Sequence, residues 1–296
     1  MDEHELACLR KAGAISKEAR ELGASLVKEG TPLVDVAEEI EALIIRRGAK
    51  PAFPVNIGIN DIAAHYTPST GDGLTFSVGD LVKVDVGAHV DGYVGDTAVT
   101  IEVGTKNWRP LLEASEKALR MALDMVGDDV PVSSLGATIE RAIKDNGFKP
   151  VSNLTGHGMK RYSLHAGLTI PNINDGSMAR IKTDMVVAIE PFATNGAGQV
   201  FNERPGNIYR VVRERPVRDK RAEELFKLIA TNFGALPFCE RWCTRLMPEA
   251  PGLLRTLVRH GLISSYAVLK EVKGGMVSQA EHTVLINGDV REITTL

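Results

Sequence analysis

The chain has 296 residues, of which 44% are hydrophobic and 25% are charged, as in an ordinary globular protein. Lysine plus arginine number 35 against 38 aspartate plus glutamate, and the net charge of −3 argues against a nucleic-acid-binding surface. The acidic N-terminus resembles no targeting peptide, and no apolar run approaches the roughly 20 residues that a membrane span requires.

Two pairs of helices are predicted in the first half of the chain. The spacing of apolar residues predicts helices over 3–28 and 33–47, and a second pair over 108–126 and 132–146. A loop-rich segment is expected between the first pair and residue 79. The second pair of helices therefore follows the same plan as the first.

The two halves also share individual residues at a nearly constant offset. Four residues recur 99 positions later: Ile40, Gly48, Lys50 and Pro51, as Ile139, Gly147, Lys149 and Pro150. His65 recurs as His165, 100 positions later. A repeat of this length exceeds any solenoid period and predicts two halves of one domain related by pseudo-symmetry.

Residues 81–102, between the helix pairs, have the pattern of a β-hairpin. Alternate residues of the first strand are apolar, and an Asp-Gly pair at 91–92 suits a two-residue type I′ turn. Pairing outward from this turn places Val90 opposite Tyr93. A bulge in the second strand would shift the register by one residue.

The hairpin carries two carboxylates that this register brings to one face. Gly87 lies opposite Asp96, and Asp85 lies opposite Ala98, so the two aspartates are diagonal neighbours. Such positions lie roughly 7–8 Å apart, a separation that can hold two metal ions about 3.5–4 Å from each other. In the alternative interpretation, both aspartates are solvated residues on an exposed face.

Later segments add three possible ligands. His157 lies between two glycines, Glu190 follows an apolar strand predicted over 185–189, and Glu281 lies in strand-like sequence over 277–286. Each is weak by itself, because a lone histidine is usually structural and a glutamate at a strand end is usually solvated. Between the two strands, helical stretches over 220–233 and 253–260 indicate an insertion.

As a set, these residues resemble the five metal ligands of the pita-bread metallopeptidases, a family built from duplicated half-domains. The matching segments are Val84-Asp85-Val86-Gly87, Asp91-Gly92 through Asp96-Thr97, Gly156-His157-Gly158, Ile189-Glu190-Pro191 and Gln279-Ala280-Glu281-His282-Thr283. Two further segments and the insertion resemble the type 2 methionine aminopeptidases of archaea. These segments are Pro51-Ala52-Phe53-Pro54 and Ala63-Ala64-His65-Tyr66-Thr67-Pro68.

The resemblance implies an α+β pita-bread fold in which pseudo-symmetric half-domains surround an antiparallel sheet. Residues 1–194 and 266–296 would form this catalytic domain. Residues 195–265 would form an inserted helical subdomain of winged-helix type.

The resemblance also implies a site for two divalent ions, which the oxygen-rich ligand set suits as Co, Mn, Fe or Zn. Asp96 and Glu281 are expected to bridge the ions, with Asp85 completing one site and His157 and Glu190 the other. A hydroxide between the ions would attack the first peptide bond, while Glu190 takes and returns a proton.

Six residues are implied on the substrate side. His165 would stabilise the developing oxyanion, and His65 would contact the scissile amide. An apolar methionine pocket is expected from Phe53, Leu164, Phe192 and Tyr266.

The implied substrates are N-termini of nascent polypeptides whose second residue is small. We expect a cytoplasmic monomer that contacts the ribosome transiently and binds no specific nucleic acid and no membrane. Cys8, Cys239 and Cys243 agree with this location, because three cysteines in a chain of this size indicate a reducing compartment.

Three other functions compete with this interpretation, and the sequence argues against each of them. A prolidase or aminopeptidase P shares the ligand set, but usually has an N-terminal domain for which the 80 residues before the hairpin leave no room. A non-catalytic pita-bread binding module typically loses ligands, whereas all five are present. A phosphate-binding enzyme would need a glycine-rich loop after a strand, and none has the required spacing.

Overall fold

Helices and strands alternate along most of the chain in the computed structural model, which describes residues 1–288 and 290–296. The helices are α1 (Glu3–Leu26), α2 (Leu33–Arg46), α3 (Arg109–Met125), α4 (Val132–Asp145), α5 (Lys220–Phe233), α6 (Glu240–Leu246) and α7 (Ala250–Arg259). The strands of the first half are β1 (Lys50–Pro51), β2 (Asn56–Ile59), β3 (Ile62–Ala64), β4 (Leu81–Val90) and β5 (Tyr93–Glu102). Those that follow are β6 (Lys149–Pro150), β7 (Thr155–Met159), β8 (Thr169–Pro171), β9 (Met185–Ile189), β10 (Phe192–Thr194), β11 (Val200–Val211), β12 (Phe238–Cys239), β13 (Ile263–Glu271), β14 (Val277–Gln279), β15 (His282–Asn287) and β16 (Val290–Ile293).

The predicted duplication is visible in the backbone. Helix α2 begins after Pro32, with φ −65° and ψ 136°, and α4 begins after Pro131, with φ −64° and ψ 132°. The proline ring fixes φ near this value and cannot donate a hydrogen bond, which suits the position before a helix. Each proline forms an isolated β-bridge, to Thr75 and Arg180 respectively. The two helix pairs are therefore equivalent units, as the sequence repeat predicts.

The central sheets lie between these helix pairs. Strand β4 pairs with β1, β2 and β5, and a five-stranded sheet has the order β16-β15-β9-β7-β8. The apolar face of β4 packs against α1 and α2, while β9 and β15 share a second apolar cluster with α3 and α4. Each half thus buries one face of its strands under its own helices, because strands alternate their side chains between faces.

The hairpin has the predicted register. Pairing runs without interruption from Leu81 and Glu102 to Val90 and Tyr93. At the turn, Asp91 has φ 51° and Gly92 has φ 84°, the positive values that a type I′ turn requires.

The segment between β10 and β14 has a hydrophobic core of its own, which includes Phe226, Phe238 and Leu254. Besides helices α5, α6 and α7, it contains a twelve-residue strand, β11, that pairs with β13. Strand β11 shows no regular alternation and contains Pro205 and Gly206, so its sequence does not predict a strand. Strand β13 continues to Glu271, across the boundary predicted at residues 265 and 266; that boundary stays a prediction.

The segment before β4 is expected to be loop-rich, and it contains only two short strands after residue 54: β2 and β3, of four and three residues. Among the described residues, no helix is both long and apolar enough to cross a membrane.

Candidate metal centre

Strands β4 and β5 bring Asp85 and Asp96 to the same face of the hairpin. Gly87 pairs with Asp96, and Asp85 pairs with Ala98. There is no room for a side chain at Gly87, because a Cβ atom there would meet the ring of Phe53 at 2.4 Å. The glycine therefore lets an aromatic ring lie against the strand beside the two aspartates.

Glu281 approaches this face from the other half of the molecule. It forms an isolated bridge with Ala98, and its carbonyl accepts a 2.7 Å hydrogen bond from Thr97 Oγ1. The Thr283 hydroxyl accepts from the Asp96 backbone N–H and donates to the Asp96 carbonyl, both at 2.8 Å. These reciprocal bonds fix the relative positions of Asp96 and Glu281.

His157 and Glu190 complete the group from β7 and from the end of β9. The His157 Nε2 atom lies 3.6 Å from Asp96 Oδ2 and 3.7 Å from Glu190 Oε1. Ligand atoms of Asp96, His157 and Glu281 all lie within 4.8 Å of one another. The two histidine–carboxylate distances exceed a hydrogen bond and suit donors around an ion with bonds of about 2.0–2.2 Å.

The environment opposes ionisation of these carboxylates in the absence of a cation. Burial raises the pKa of Asp85 to about 7, although Gln279 opposes the shift. Burial and the charge of Asp85 raise the pKa of Asp96 well above its ordinary value. Burial, with neighbouring carboxylates second, also raises the pKa values of Glu190 and Glu281. Several buried carboxylates can all be ionised only beside positive charge.

The histidine and the buried oxygen atoms agree with a metal site. Burial lowers the pKa of His157 to about 3, so the imidazole is neutral and able to bind a metal. Within the described residues, Asp85 Oδ1, Asp96 Oδ1 and His157 Nδ1 are buried without a hydrogen-bond partner. Because buried polar atoms are normally satisfied, these residues fit a bound divalent cation.

The five expected ligands line a cavity of about 230 Å³. The six residues expected on the substrate side line the same cavity: Phe53, His65, Leu164, His165, Phe192 and Tyr266. His65 has a φ of 63°, and its Nδ1 atom lies 3.3 Å from the Ala267 carbonyl oxygen. The His165 ring centroid lies 4.4 Å from that of His157. The structure therefore brings all eleven positions predicted from the sequence to one cavity.

Several residues at or beside this cavity have no role predicted from the sequence, among them Gln279, Ile208 and Pro237. Gln279 donates hydrogen bonds to Glu190 Oε2 at 3.3 Å and to Glu281 Oε2 at 3.4 Å. Ile208 and Pro237 reach the cavity from the inserted segment. Gln279 lies two residues before Glu281, a spacing that places both on one face of a strand. The other two had no signal in the sequence.

The model of metallopeptidase family M24 matches residues 7–235. A methionine aminopeptidase of Pyrococcus abyssi is 46% identical over 290 residues, 97% of this chain and 98% of that protein. A methionine aminopeptidase of Archaeoglobus fulgidus is 45% identical over 296 residues and the full length of both chains. One of Saccharolobus solfataricus is 40% identical over all of this chain and 99% of that protein.

Solved structures share the fold at low identity. A thermophilic Arx1 has a TM-score of 0.86 at 16% identity, over 99% of this chain and 91% of that one. Methionine aminopeptidase from Thermotoga maritima has a TM-score of 0.72 at 22% identity, over 100% and 98%. The prolidase of Pyrococcus furiosus has a TM-score of 0.64 at 19% identity, and this chain covers 64% of it. At these identities the likeness concerns the fold alone.

Proposed function

The chain belongs to metallopeptidase family M24, and from this premise we propose that it removes N-terminal methionine from polypeptides. The relatives that carry this activity in their names are 40–46% identical over nearly their whole lengths. The observation that supports the proposal in the molecule itself is the buried cluster of Asp96, His157 and Glu281, which lines the same cavity as Phe53, Phe192 and Tyr266.

We assign the metal-binding role to Asp85, Asp96, His157, Glu190 and Glu281, with two ions per chain. These five side chains would hold the ions through four carboxylates and one imidazole. Divalent ions at such a site polarise a carbonyl oxygen and lower the pKa of a water molecule. The donor set suits Mn, Co, Fe or Zn.

The remaining roles belong to protein groups around the reacting bond. Glu190 is proposed to accept a proton from the attacking water and return it to the leaving amine. His165 donates a hydrogen bond to the developing oxyanion, and His65 contacts the scissile amide. The free α-amine of the substrate would be held by the ion beside Asp85, which would restrict action to the chain terminus.

We propose that methionine selectivity comes from an apolar pocket formed by Phe53, Leu164, Phe192 and Tyr266. Phe53 and Phe192 are nearly fully buried, and Leu164 is 9% exposed at the cavity. The His65 ring packs edge-on against Tyr266 with centroids 5.3 Å apart. Such a pocket separates methionine from leucine by about 1–3 kcal/mol, so slow release of leucine is expected.

The further properties proposed are those of the archaeal type 2 enzymes. The substrates would be nascent chains with a small second residue, met in the cytoplasm during transient contact with the ribosome. The protein would act as a monomer, without specific nucleic-acid or membrane binding.

The function is tested by adding Met-Ala-Ser, Leu-Ala-Ser and an X-Pro dipeptide to protein loaded with Mn²⁺ or Co²⁺. Met-Ala-Ser should be cleaved fastest, and chelation should stop the reaction until metal is returned. Preferential cleavage of the X-Pro peptide would instead indicate a prolidase.

The role of Asp96 is tested in the same assay. Asp96→Asn should nearly abolish turnover and reduce metal content, because it removes a charge shared by both ions. Asp124→Asn, an exposed change outside the cavity, is the matched control and should leave both unchanged. Full activity of Asp96→Asn would contradict the proposed ligand set.

A further inference from the structure

A second and larger cavity, of about 920 Å³, lies between the first half of the molecule and the inserted segment. One wall comes from α2 and includes Ala42 and Ile45. The opposite wall comes from α5 and α6 and includes Phe233, Trp242 and Leu246. We call this cavity the α2 groove. Its volume is within the range of about 300–1,000 Å³ that is usual for ligand sites.

The α2 groove adjoins the candidate catalytic cavity. Pro237 lines both of them. The segment after α2 contributes Pro51 to the groove and Phe53 to the catalytic cavity. The loop after β7 similarly contributes Tyr162 to the groove and Leu164 to the catalytic cavity. Three separate segments thus contribute to both cavities, which places the groove beside the catalytic cavity.

The groove surface is suited to an extended polypeptide segment. Ile45 is 60% exposed on one wall, and Phe233 packs on Trp242 with ring centroids 5.5 Å apart on the other. Trp242 is held by a 2.8 Å hydrogen bond from its Nε1 to Glu41 Oε2. Rigid aromatic side chains are the usual anchors of peptide interfaces, and an exposed isoleucine adds apolar surface to be buried.

The charged side chains that line the groove are mostly paired. Glu38 forms an ion pair with Arg245, Glu41 with Arg241 and Asp91 with Arg161. The exposed apolar and aromatic surface is therefore the feature of the groove that favours a bound segment.

We propose that the α2 groove binds the part of the polypeptide substrate that follows its second residue, with a preference for apolar side chains. The inference rests on the proposed aminopeptidase function. The catalytic cavity, at about 230 Å³, has room for only the first residues of a substrate, and the remaining chain must leave through its border. Binding of remote substrate residues can raise the rate at the reacting bond.

The test compares Met-Ala-Ser with a peptide of about 12 residues that begins Met-Ala-Ser and continues with leucine, phenylalanine and serine. Such a peptide extends over about 40 Å, enough to leave the catalytic cavity. The quantity measured is the ratio of kcat/KM for the long peptide to kcat/KM for the tripeptide. We expect this ratio to be at least about 10 for the unmodified protein, equivalent to about 1.4 kcal/mol.

Blocking the groove after folding tests its location. Because Cys8, Cys239 and Cys243 are all buried, a new cysteine in Ile45→Cys can be labelled selectively with a bulky maleimide. Val78→Cys is the matched control, since Val78 is 53% exposed and lies outside both cavities. Each labelled protein is compared with its own unlabelled form, so that a failure to fold is recognised before labelling.

Labelling of Ile45→Cys should lower the ratio at least about tenfold, whereas labelling of Val78→Cys should preserve it. The proposal is overturned if the ratio is near one without any label, or if both labels have the same effect. Failure of the unmodified protein to cleave Met-Ala-Ser would instead contradict the aminopeptidase function itself. Cleavage of the tripeptide with a ratio insensitive to the label at residue 45 contradicts the groove alone.

Discussion

Two adjacent histidines at the cavity are assigned different roles. The rings of His157 and His165 have centroids 4.4 Å apart, but only His157 lies within 4.8 Å of the ligand atoms of both Asp96 and Glu281. His165 belongs to an exposed loop at the cavity border. Proximity alone therefore does not decide which imidazole binds metal.

Replacing each histidine by alanine separates these roles. His165→Ala should lower kcat by about 10²–10³-fold, because one donor to the oxyanion is lost, while the metal content stays complete. His157→Ala should lose part of its metal, since it removes the one imidazole proposed as a ligand. Elemental analysis beside steady-state kinetics measures both effects. If His165→Ala lost metal while His157→Ala kept its full metal content, the metal-ligand role would belong to His165 instead.

The inserted segment is joined to α2 by a buried ion pair. Arg241, at the start of α6, donates to Glu41 Oε2 at 2.6 Å and to Oε1 at 2.9 Å. The two residues are 2% and 3% exposed. The same pair holds the two walls of the α2 groove at a fixed separation.

Glu41→Gln should lower the free energy of unfolding by about 3–5 kcal/mol, because it leaves a buried guanidinium without its counter-charge. The matched control is Glu18→Gln, which breaks a half-exposed pair with Arg47 and should cost only about 0.2–1 kcal/mol. Urea denaturation measures both. A similar small loss in both variants would show that the buried pair does not stabilise the junction.

The end of β13 is anchored by Glu271, which accepts backbone hydrogen bonds from Ala197, Gly198, Lys273 and Gly275. Burial raises the pKa of Glu271, but these four bonds outweigh it and hold the pKa below the ordinary value of 4.5. A carboxylate with a depressed pKa stabilises the fold fully above its unfolded value, and this stabilisation is lost as the pH falls through the folded value.

Glu271→Gln should therefore reduce stability at pH 7 and flatten the loss of stability on acidification below about pH 4.5. The melting temperature measured between pH 3 and pH 7 gives this slope. Glu214→Gln is a matched control, because Glu214 lies exposed in a loop, and its slope should equal that of the unmodified protein. An unchanged slope in Glu271→Gln would show that the Glu271 carboxylate does not cause the loss of stability at low pH.

At the scale of the whole molecule, α1 connects the first half of the fold to the C-terminal residues. Arg20 Nη1 donates to Thr97 Oγ1 at 2.6 Å and to the Thr295 carbonyl at 3.2 Å. Two turns earlier in α1, the backbone of Thr294 packs directly on Gly13, where a Cβ atom would meet the Thr294 oxygen at 2.3 Å. The absence of a side chain at Gly13 thus permits this contact.

Gly13→Ala should lower stability, although alanine is the better helix former. The contact requires a backbone shift, which typically costs about 1–3 kcal/mol, against roughly 1 kcal/mol gained in helix propensity. Gly73→Ala is the control, because none of the described residues has an atom within 4 Å of the added Cβ. Thermal unfolding compares the two, and a higher melting temperature for Gly13→Ala would mean that the C-terminal segment moves freely.

The sequence by itself determined the features that depend on neighbouring residues. The hairpin register followed from period-two alternation and an Asp-Gly turn, because both act over a few residues. The 99-residue repeat predicted the matching helix pairs, whose second helices begin after Pro32 and Pro131. The five expected ligands came from resemblance to a family, since no local pattern distinguishes Glu190 or Glu281 from a solvated glutamate.

Only the tertiary structure decided which distant residues meet. Asp96 and Glu281 are 185 positions apart, and the hydrogen bonds of Thr283 fix their arrangement. Pro237 lines both cavities, and its position likewise depends on the packing of the inserted segment against α2. Such contacts depend on the free energy of the whole fold, to which burial, hydrogen bonding and chain entropy all contribute. A short stretch of sequence does not determine this free energy, so the cluster geometry and the α2 groove could not be predicted from local patterns.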